Sequence, residues 1–359
     1  MLPEQRKIIG ENQQILYSFR NNGRNLPEKE LVQLAKKTGN AYKTMQKSLY
    51  DMSKNNIILD YKKFLVNPNF AYFAGFYVTD NEVEIEVLDF SLEPVLEKNM
   101  PGFKKKFQYE EPHELIGIIK NVIDDISKNI KIESIAIIFD KFINYQTSIA
   151  YYENGLDFKI YNLSVHIKTS RGLWTSPFFN DVFVGDIVLA NTLYSREKVF
   201  ESNSIVYYDL DLNSVCYIMN GILQKNTNPV TGMVFPRFTT QQKKMFRELE
   251  NVSDSTYVSS LKSNIHQLDS IIEEYLQLKA LFNPEHFILG GKWLRKRKSE
   301  DIIFGSINEK ISKNNESPQK ILMIEGFTPF FEIINKDEQS AKGAGIFAAY
   351  SFFNWDFKW

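Results

Sequence analysis

Leu34-Ala35-Lys36-Lys37-Thr38-Gly39-Asn40, running on into Ala41-Tyr42-Lys43-Thr44-Met45-Gln46-Lys47-Ser48-Leu49-Tyr50, decides how the first part of the chain is read. Leu34 and Ala35 belong to an apolar stripe that starts at Leu31, on a helix opened by Pro27-Glu28. Proline suits an early helical position, and an acid suits the positive end of the helix dipole. Thr38-Gly39-Asn40 then breaks the chain, Gly39 being free to take positive φ. The next helix is read from Ala41 to about Lys54, because Met45, Leu49 and Met52 recur at the spacing of one buried face. Toward the N-terminus, the stretch from Asn12 to Phe19 carries Ile15, Leu16 and Phe19 at helical spacing and stops at Asn21-Asn22-Gly23. Toward the C-terminus, Ile57-Ile58-Leu59 and Phe64-Leu65-Val66 read as strands around the turn Asp60-Tyr61-Lys62-Lys63. Helix, tight turn, helix and β-wing over residues 1–66 predict a winged helix-turn-helix.

In that motif the second helix of the pair enters the major groove of DNA while the first braces against the backbone. The candidate contacts on and beside it are Asn40, Tyr42, Lys43, Thr44, Gln46, Lys47 and Tyr50, with Lys54 on the same outward face. Gln reads adenine, Lys reads guanine, and each Lys also displaces counterions. Lys62 and Lys63 at the wing tip suit phosphates or the minor groove. Charge agrees with this placement. Residues 1–66 hold 12 Lys+Arg against 6 Asp+Glu, while the remainder holds 31 against 38, although the whole chain has a net charge of -1. A basic head on a mildly acidic body is what a fused nucleic-acid-binding module shows. A three-helix module that contacts protein is the competing reading.

Composition removes other classes. The apolar runs, such as Ile135 to Phe139, stop well short of the roughly 18 residues a membrane span needs. Met1-Leu2-Pro3-Glu4-Gln5 lacks the charged-then-apolar run of a signal peptide, so a soluble, cytoplasmic protein is expected. A single cysteine, Cys216, excludes a disulfide framework and a multi-thiolate zinc site, and is read as a buried core thiol. His113, His166, His266 and His286 have no ligand spacing, so no metal and no cofactor are expected.

After Pro68 the pattern turns to strands. Phe70 to Val78 and Glu82 to Phe90 flank a turn at Asp80-Asn81, and a helix from about Glu114 to Asn129 leads into the strand Ile132 to Phe139. Ser204 to Leu223 holds further strands joined near Asp211 to Ser214. A long helix over Tyr257 to Leu281 precedes the strand Phe287-Ile288-Leu289-Gly290-Gly291. Lys342-Gly343-Ala344-Gly345 opens a closing helix with small residues for close packing. Strands followed by helices, twice over, predict an α/β body of two similar lobes. The aromatic clusters Phe70-Tyr72-Phe73, Phe327-Phe330-Phe331 and Phe352-Phe353-Trp355 read as core or dimer interface.

This order of pieces resembles the ROK family of repressors and sugar kinases, and its repressor branch in particular. The carriers are Leu34-Ala35-Lys36-Lys37-Thr38-Gly39, similar to the family's Leu-Ala-x-x-Thr-Gly; Asn220-Gly221-Ile222-Leu223, similar to its Asn-Gly-x-Leu hairpin; and Asn283-Pro284-Glu285-His286-Phe287-Ile288-Leu289-Gly290-Gly291, similar to its Asp-Pro-x-x-Ile-Val-Leu-Gly-Gly. The resemblance spans nearly the whole chain and is strong at these places. It implies an α/β chain with an all-α/β-wing head at 1–66 and a two-lobed body of actin/hexokinase type. The first lobe would take 70–190 plus 341–359, and the second 191–340 with the dimerisation surface.

The departures from the family bear on activity. Its kinases open with Asp-x-Gly-Gly-Thr, whose backbone N–H groups cradle phosphate. Here Tyr77-Val78-Thr79-Asp80-Asn81 stands instead, without glycine and with an added carboxylate. Leu210-Asp211-Leu212-Asn213-Ser214 likewise replaces the second glycine loop. At the family's general base, an ungapped alignment places Ile187 and a one-residue shift places Asp186. Gly232-Met233-Val234-Phe235-Pro236 replaces the sugar- and zinc-binding Gly-Glu-x-Gly-His, and Phe238 to Glu250 lacks the zinc-loop cysteines. The resemblance therefore implies a transcriptional regulator, most often a repressor. It would bind an inverted repeat of double-stranded DNA as a homodimer, or a tetramer built from it, with no catalytic residues and no membrane contact. A regulator still switched by a sugar or sugar phosphate in the interlobe cleft is the first alternative, and an active sugar kinase the second. Arg295-Lys296-Arg297-Lys298 reads as a solvated surface run.

Overall fold

The computed structural model describes residues 3–12, 15–16, 32–33, 35–36, 41–60, 65–140, 143–144, 149–151, 157–159, 182–198, 204–209, 214–219, 222–224, 259, 284–290, 330–333 and 340–352. They divide into one unit of 1–201 with 340–359 and a second of 202–339.

Unit 1 begins with helix α1, Pro3–Glu11. The sequence reading had placed the first helix later, at 12–19. Pro3 at the first helical position and Glu4 in the first turn are the same start signals as Pro27-Glu28, and they act here one element earlier. Ile15 and Leu16 are helical and buried as anticipated. Ala35 is also buried, whereas Leu31, Leu34 and the turn at 37–40 lie outside the described residues. Helix α2, Tyr42–Lys54, follows an extended Ala41 and buries Met45, Leu49 and Met52, the stripe its periodicity specified. Its end is set by Asn56, which takes φ 57°. The Ile57 N–H then reaches Met52 O (2.9 Å) and the Asn56 N–H reaches Ser53 O (3.0 Å). These are the paired bonds by which a left-handed residue closes a helix, and asparagine tolerates that conformation better than most residues. Strands β1, Ile58–Asp60, and β2, Leu65–Val66, pair antiparallel through Ile58↔Val66 and Asp60↔Leu65.

The first-lobe sheet is built from β3 (Tyr72–Val78), β4 (Glu82–Leu88), β5 (Lys106–Gln108), β6 (Ile132–Phe139) and β10 (Val182–Asp186), in the order β10-β6-β3-β4-β5. β3, β4 and β5 form an antiparallel meander, while β6 and β10 run parallel to β3 on its other side. A small antiparallel sheet of β7 (Ile143–Asn144), β8 (Ile149–Tyr151) and β9 (Asp157–Lys159) lies between β6 and β10 in the chain. A short helix α3 (Leu96–Asn99) follows β4, and α4 (Glu114–Ser127) precedes β6. Leu115, Ile119, Val122, Ile123 and Ile126 of α4 pack in one cluster with Ala74, Phe76 and Val78 of β3 and Val83, Ile85 and Val87 of β4.

The opposite sheet face takes helices α5 (Ile187–Lys198) and α6 (Ser340–Phe352), the latter buried over almost its whole surface. Phe73 of β3 meets Phe352 edge-on at 5.2 Å, so the first and last aromatic clusters of the sequence join in this core. At Gly75 strand and helix touch backbone to backbone. A Cβ there would fall on Ala341 O, Ala344 C and Gly345 N. Gly343 repeats the device against α5, where a Cβ would come within 2.6 Å of Ala190 O. The division between units runs after α5, which stays whole in unit 1.

Unit 2 contains β11 (Ile205–Asp209), β12 (Ser214–Met219), β13 (Ile222–Gln224), β14 (His286–Gly290) and β15 (Phe330–Ile333), ordered β13-β12-β11-β14-β15. An antiparallel meander again starts the sheet, and parallel strands again add beyond its first strand. The two sheets thus share one plan, as the repeated strand-then-helix pattern predicted. Of the long helix read at 257–281, only Ser259 is described, and it is helical. Cys216 on β12 is half-buried rather than a core thiol, because the buried positions of that strand are Val215 and Ile218.

Gly75→Ala should cost about 3 kcal/mol or more in urea unfolding, since backbone on both sides of the intruding methyl must shift. Gly117→Ala is the control: it sits exposed within α4 with nothing near its Cβ position, and should stabilise by about 0.5–1 kcal/mol.

Candidate functional site

Helix α2 supplies the surface on which most of the candidate DNA contacts fall. With Met45, Leu49 and Met52 turned inward, Lys43, Thr44, Gln46, Lys47, Tyr50 and Lys54 are exposed, and Tyr42 is half-buried. Asn40, Lys62 and Lys63 lie outside the described residues, as does the run Arg295 to Lys298. Among described residues the large exposed apolar side chains are Tyr50 and Leu59, each 54% exposed and both in the head. Leu59 was not singled out from sequence. Its signal was the strand alternation that buries Ile58 and turns the next residue outward.

Lysines of the body are of two kinds: some are paired, and some, such as Lys98 and Lys120, make no ion pair with any described residue. Lys43, Lys47 and Lys54 make no ion pair with any described residue. In the body, Lys105 lies 3.0 Å from Glu86 and 3.1 Å from Glu97, and Lys106 lies 3.3 Å from Glu82. Lys128 and Lys131 likewise meet Asp125 at 2.8 Å and Glu133 at 3.1 Å. Partial burial works against the charge on Lys105, yet the hydrogen bonds and charges of Glu86 and Glu97 leave its pKa above the ordinary lysine value. Lys43, Lys47 and Lys54 thus differ from these four body lysines, and from Lys7 of α1, which lies 3.8 Å from Glu11.

The body's other candidate positions collect where α/β sheets bind ligands, at the carboxyl ends of parallel strands. Register aligns Val78, Phe139 and Asp186 across β3, β6 and β10. The β3–β4 turn there is closed by its own bonds. The Thr79 N–H donates to Glu82 O (2.9 Å) and the Glu82 N–H to Thr79 Oγ1 (3.2 Å). The Tyr109 hydroxyl donates to Thr79 O, and the Tyr109 N–H to Asn81 O (2.9 Å). Asp80 is exposed at the tip. Behind it the buried Tyr77 hydroxyl donates to Asp140 Oδ2 at 2.9 Å. Asp140 was missed from sequence because its partner lies far away in the chain and only the parallel register of β3 and β6 joins them.

Ile187, the first residue of α5, is fully buried, and Asp186 is the last residue of β10. In unit 2, Asp209 ends β11 fully buried, with the Tyr207 hydroxyl 3.5 Å from its Oδ2. Tyr207 also fills the space beside Gly290, where a Cβ would strike its ring. The replacement loop at 210–213 and the stretches 232–236 and 238–250 lie outside the described residues. No cluster of His, Cys, Asp or Glu able to hold a metal occurs among the described residues, and none of their helices is long and apolar enough to cross a membrane.

No protein-family model matches the sequence, and no curated protein matches it. Solved structures do. A ROK family transcriptional regulator, a homologue of the E. coli MLC protein, superposes with a TM-score of 0.62 at 12% identity, covering 97% of each chain. A ROK hexokinase from Thermus thermophilus gives a TM-score of 0.53 at 10% identity, covering 79% of this chain and 99% of its own. A ROK family protein from Streptococcus pneumoniae, solved with sucrose, gives 0.50 at 12% identity, covering 80% of this chain and all of its own. The chain is similar in fold to ROK proteins, whose architecture is the actin- or hexokinase-like α/β type that its paired sheets display.

Proposed function

We propose that the protein is a sequence-specific DNA-binding regulator of the ROK type, acting as a repressor, whose body does not catalyse. The observation that carries this is the exposed lysine face of α2, which makes no ion pair with any described residue and carries Gln46 and Tyr50, on a helix followed by two short antiparallel strands. Unpaired cations release counterions when they meet phosphate, and an amide on the same face can read a base edge. Coverage supports the reading. The hexokinase and the sucrose-bound protein account for about four-fifths of this chain, a share that leaves room for a head, whereas the regulator accounts for 97%. A two-fold dimer would place a winged helix on each half of an inverted repeat. The inactive body is supported by the β3–β4 turn, whose Thr79 and Glu82 N–H groups are already spent within it.

The deciding experiment is affinity against salt, on a duplex found by footprinting genomic fragments and on a scrambled duplex. Lys43→Ala or Lys47→Ala should cost about 1–3 kcal/mol on the specific duplex and relax preference at the contacted position. Lys62→Ala or Lys63→Ala should weaken both duplexes alike and lower the salt slope by roughly one unit per lost phosphate contact. Arg295→Ala should change little. Helix variants that bind like the native chain while Arg295→Ala loses affinity would overturn the reading.

Incubated with ATP and common hexoses or pentoses, the protein should form sugar phosphate no faster than its Tyr77→Phe variant. Turnover clearly above that control would restore the kinase alternative.

A further inference from the structure

Residues 55–57 and 67–72 run side by side where the head meets the first-lobe sheet, and Asn67 stands between them. Its backbone N–H donates to Ile57 O (3.1 Å) and its Nδ2 to Asn56 O (2.7 Å), while its Oδ1 accepts from the Asn69 N–H (3.1 Å). Asn69 Oδ1 in turn accepts from the Tyr72 hydroxyl at the start of β3 (3.0 Å). Alongside, the Phe90 N–H donates to Pro68 O (3.0 Å), and the rings of Phe70 and Phe90 meet edge-on at 5.1 Å. From the other side, Gln5 Nε2 of α1 donates to Asn55 O (3.0 Å). A helix end leaves carbonyls that need outside partners. Here the carbonyls just beyond α2 find them on α1 and on the segment leading to β3.

We infer that Asn67 is a positioning residue that locks the head to the first-lobe sheet as one rigid body. The direction in which α2 presents its lysines is then set by β3 and by the turn after β4, not by a flexible tether. A tether would solvate its own backbone and transmit no orientation. Asn67 instead ties the left-handed cap of α2 to the first residue of β3 through successive hydrogen bonds of its own side chain and of the Asn69 backbone and side chain. The lock itself is independent of ligand; its effect on duplex binding rests on the DNA-binding reading above.

The test is fluorescence anisotropy decay of a dye placed by Lys7→Cys on the exposed side of α1, in a Cys216→Ser background. With Asn67 intact, the head should tumble with the body and show no nanosecond component beyond the dye's own. Asn67→Ala and Asn67→Asp should add one, because both lose the Nδ2 donor. A head component already present with Asn67 intact, or a decay unchanged in both variants, overturns the inference. Circular dichroism checks that the helices persist. Should Asn67→Ala unfold the head, Asn69→Ala breaks the next link of the same chain and is expected to give the same added component. On duplexes, Asn67→Ala should lose about tenfold in specific affinity while keeping its affinity for the scrambled duplex; equal loss on both would overturn the positioning role. Rigid tumbling in a native chain that binds no duplex would leave the lock standing and sink the DNA-binding reading instead.

Discussion

Strand β3 and helix α6 meet at Gly75 and Gly345 with no side chain between them, and the first unit is arranged around that approach. A helix normally stands off a sheet by the thickness of its side chains. Here glycine on both partners removes that layer, so α6 sinks onto the sheet and reaches from Leu88 of β4 to Gly185 of β10. Gly343 lets α5 close over α6 in the same way. With α6 seated, the odd residues of β3 belong to one core and the even residues to the α4 core, so strand alternation becomes two distinct packed layers. The parallel register of β3, β6 and β10 aligns their carboxyl ends and brings Tyr77, Asp140 and Asp186 to one edge.

Charge is distributed by the same economy. The solvent-side glutamates of β4 alternate with its buried valines and isoleucine, and they face lysines contributed by β5 and the segment before it. Such pairs add little stability, while Lys106 on the edge strand β5 discourages its pairing with another chain. The head has no such arrangement on α2. Its packing is satisfied by Met45, Leu49 and Met52, and Lys43, Lys47 and Lys54 on the outward face make no ion pair with any described residue.

The legible parts of the fold were those encoded locally. Strand β6 is legible because Ile135 to Phe139 is an apolar run long enough for a buried strand, with Ile132 opening it. The β3–β4 hairpin followed from Asp80-Asn81, and the buried face of α2 from its methionine and leucine spacing. What escaped was long-range. Gly75 inside a strand is a known mark of close backbone approach, but the sequence does not say which backbone arrives. The Tyr77–Asp140 bond depends on parallel register, and the Asn67 chain on where a linker folds back against a helix cap. At the candidate site, exposure of Lys43, Gln46 and Lys47 was readable from periodicity, whereas their lack of ion pairs required the positions of every neighbouring carboxylate. Helix α1 is encoded locally too, since Pro3-Glu4 carries the same start signal as Pro27-Glu28.

Because α6 comes from residues 340–352 yet packs on a sheet made by residues 72–186, the first unit cannot finish folding until synthesis has passed residue 352. A polypeptide emerging from the ribosome presents the head and the sheet first, with the face that α6 will cover left apolar and open. The whole second unit must be synthesised before that face is closed. During this interval Phe73, Gly75 and Phe183 lie on a surface prone to self-association. A premature stop anywhere before residue 340 would therefore spare the α2 surface yet leave the chain dependent on chaperones, so that truncations that remove α6 should act through abundance rather than through recognition.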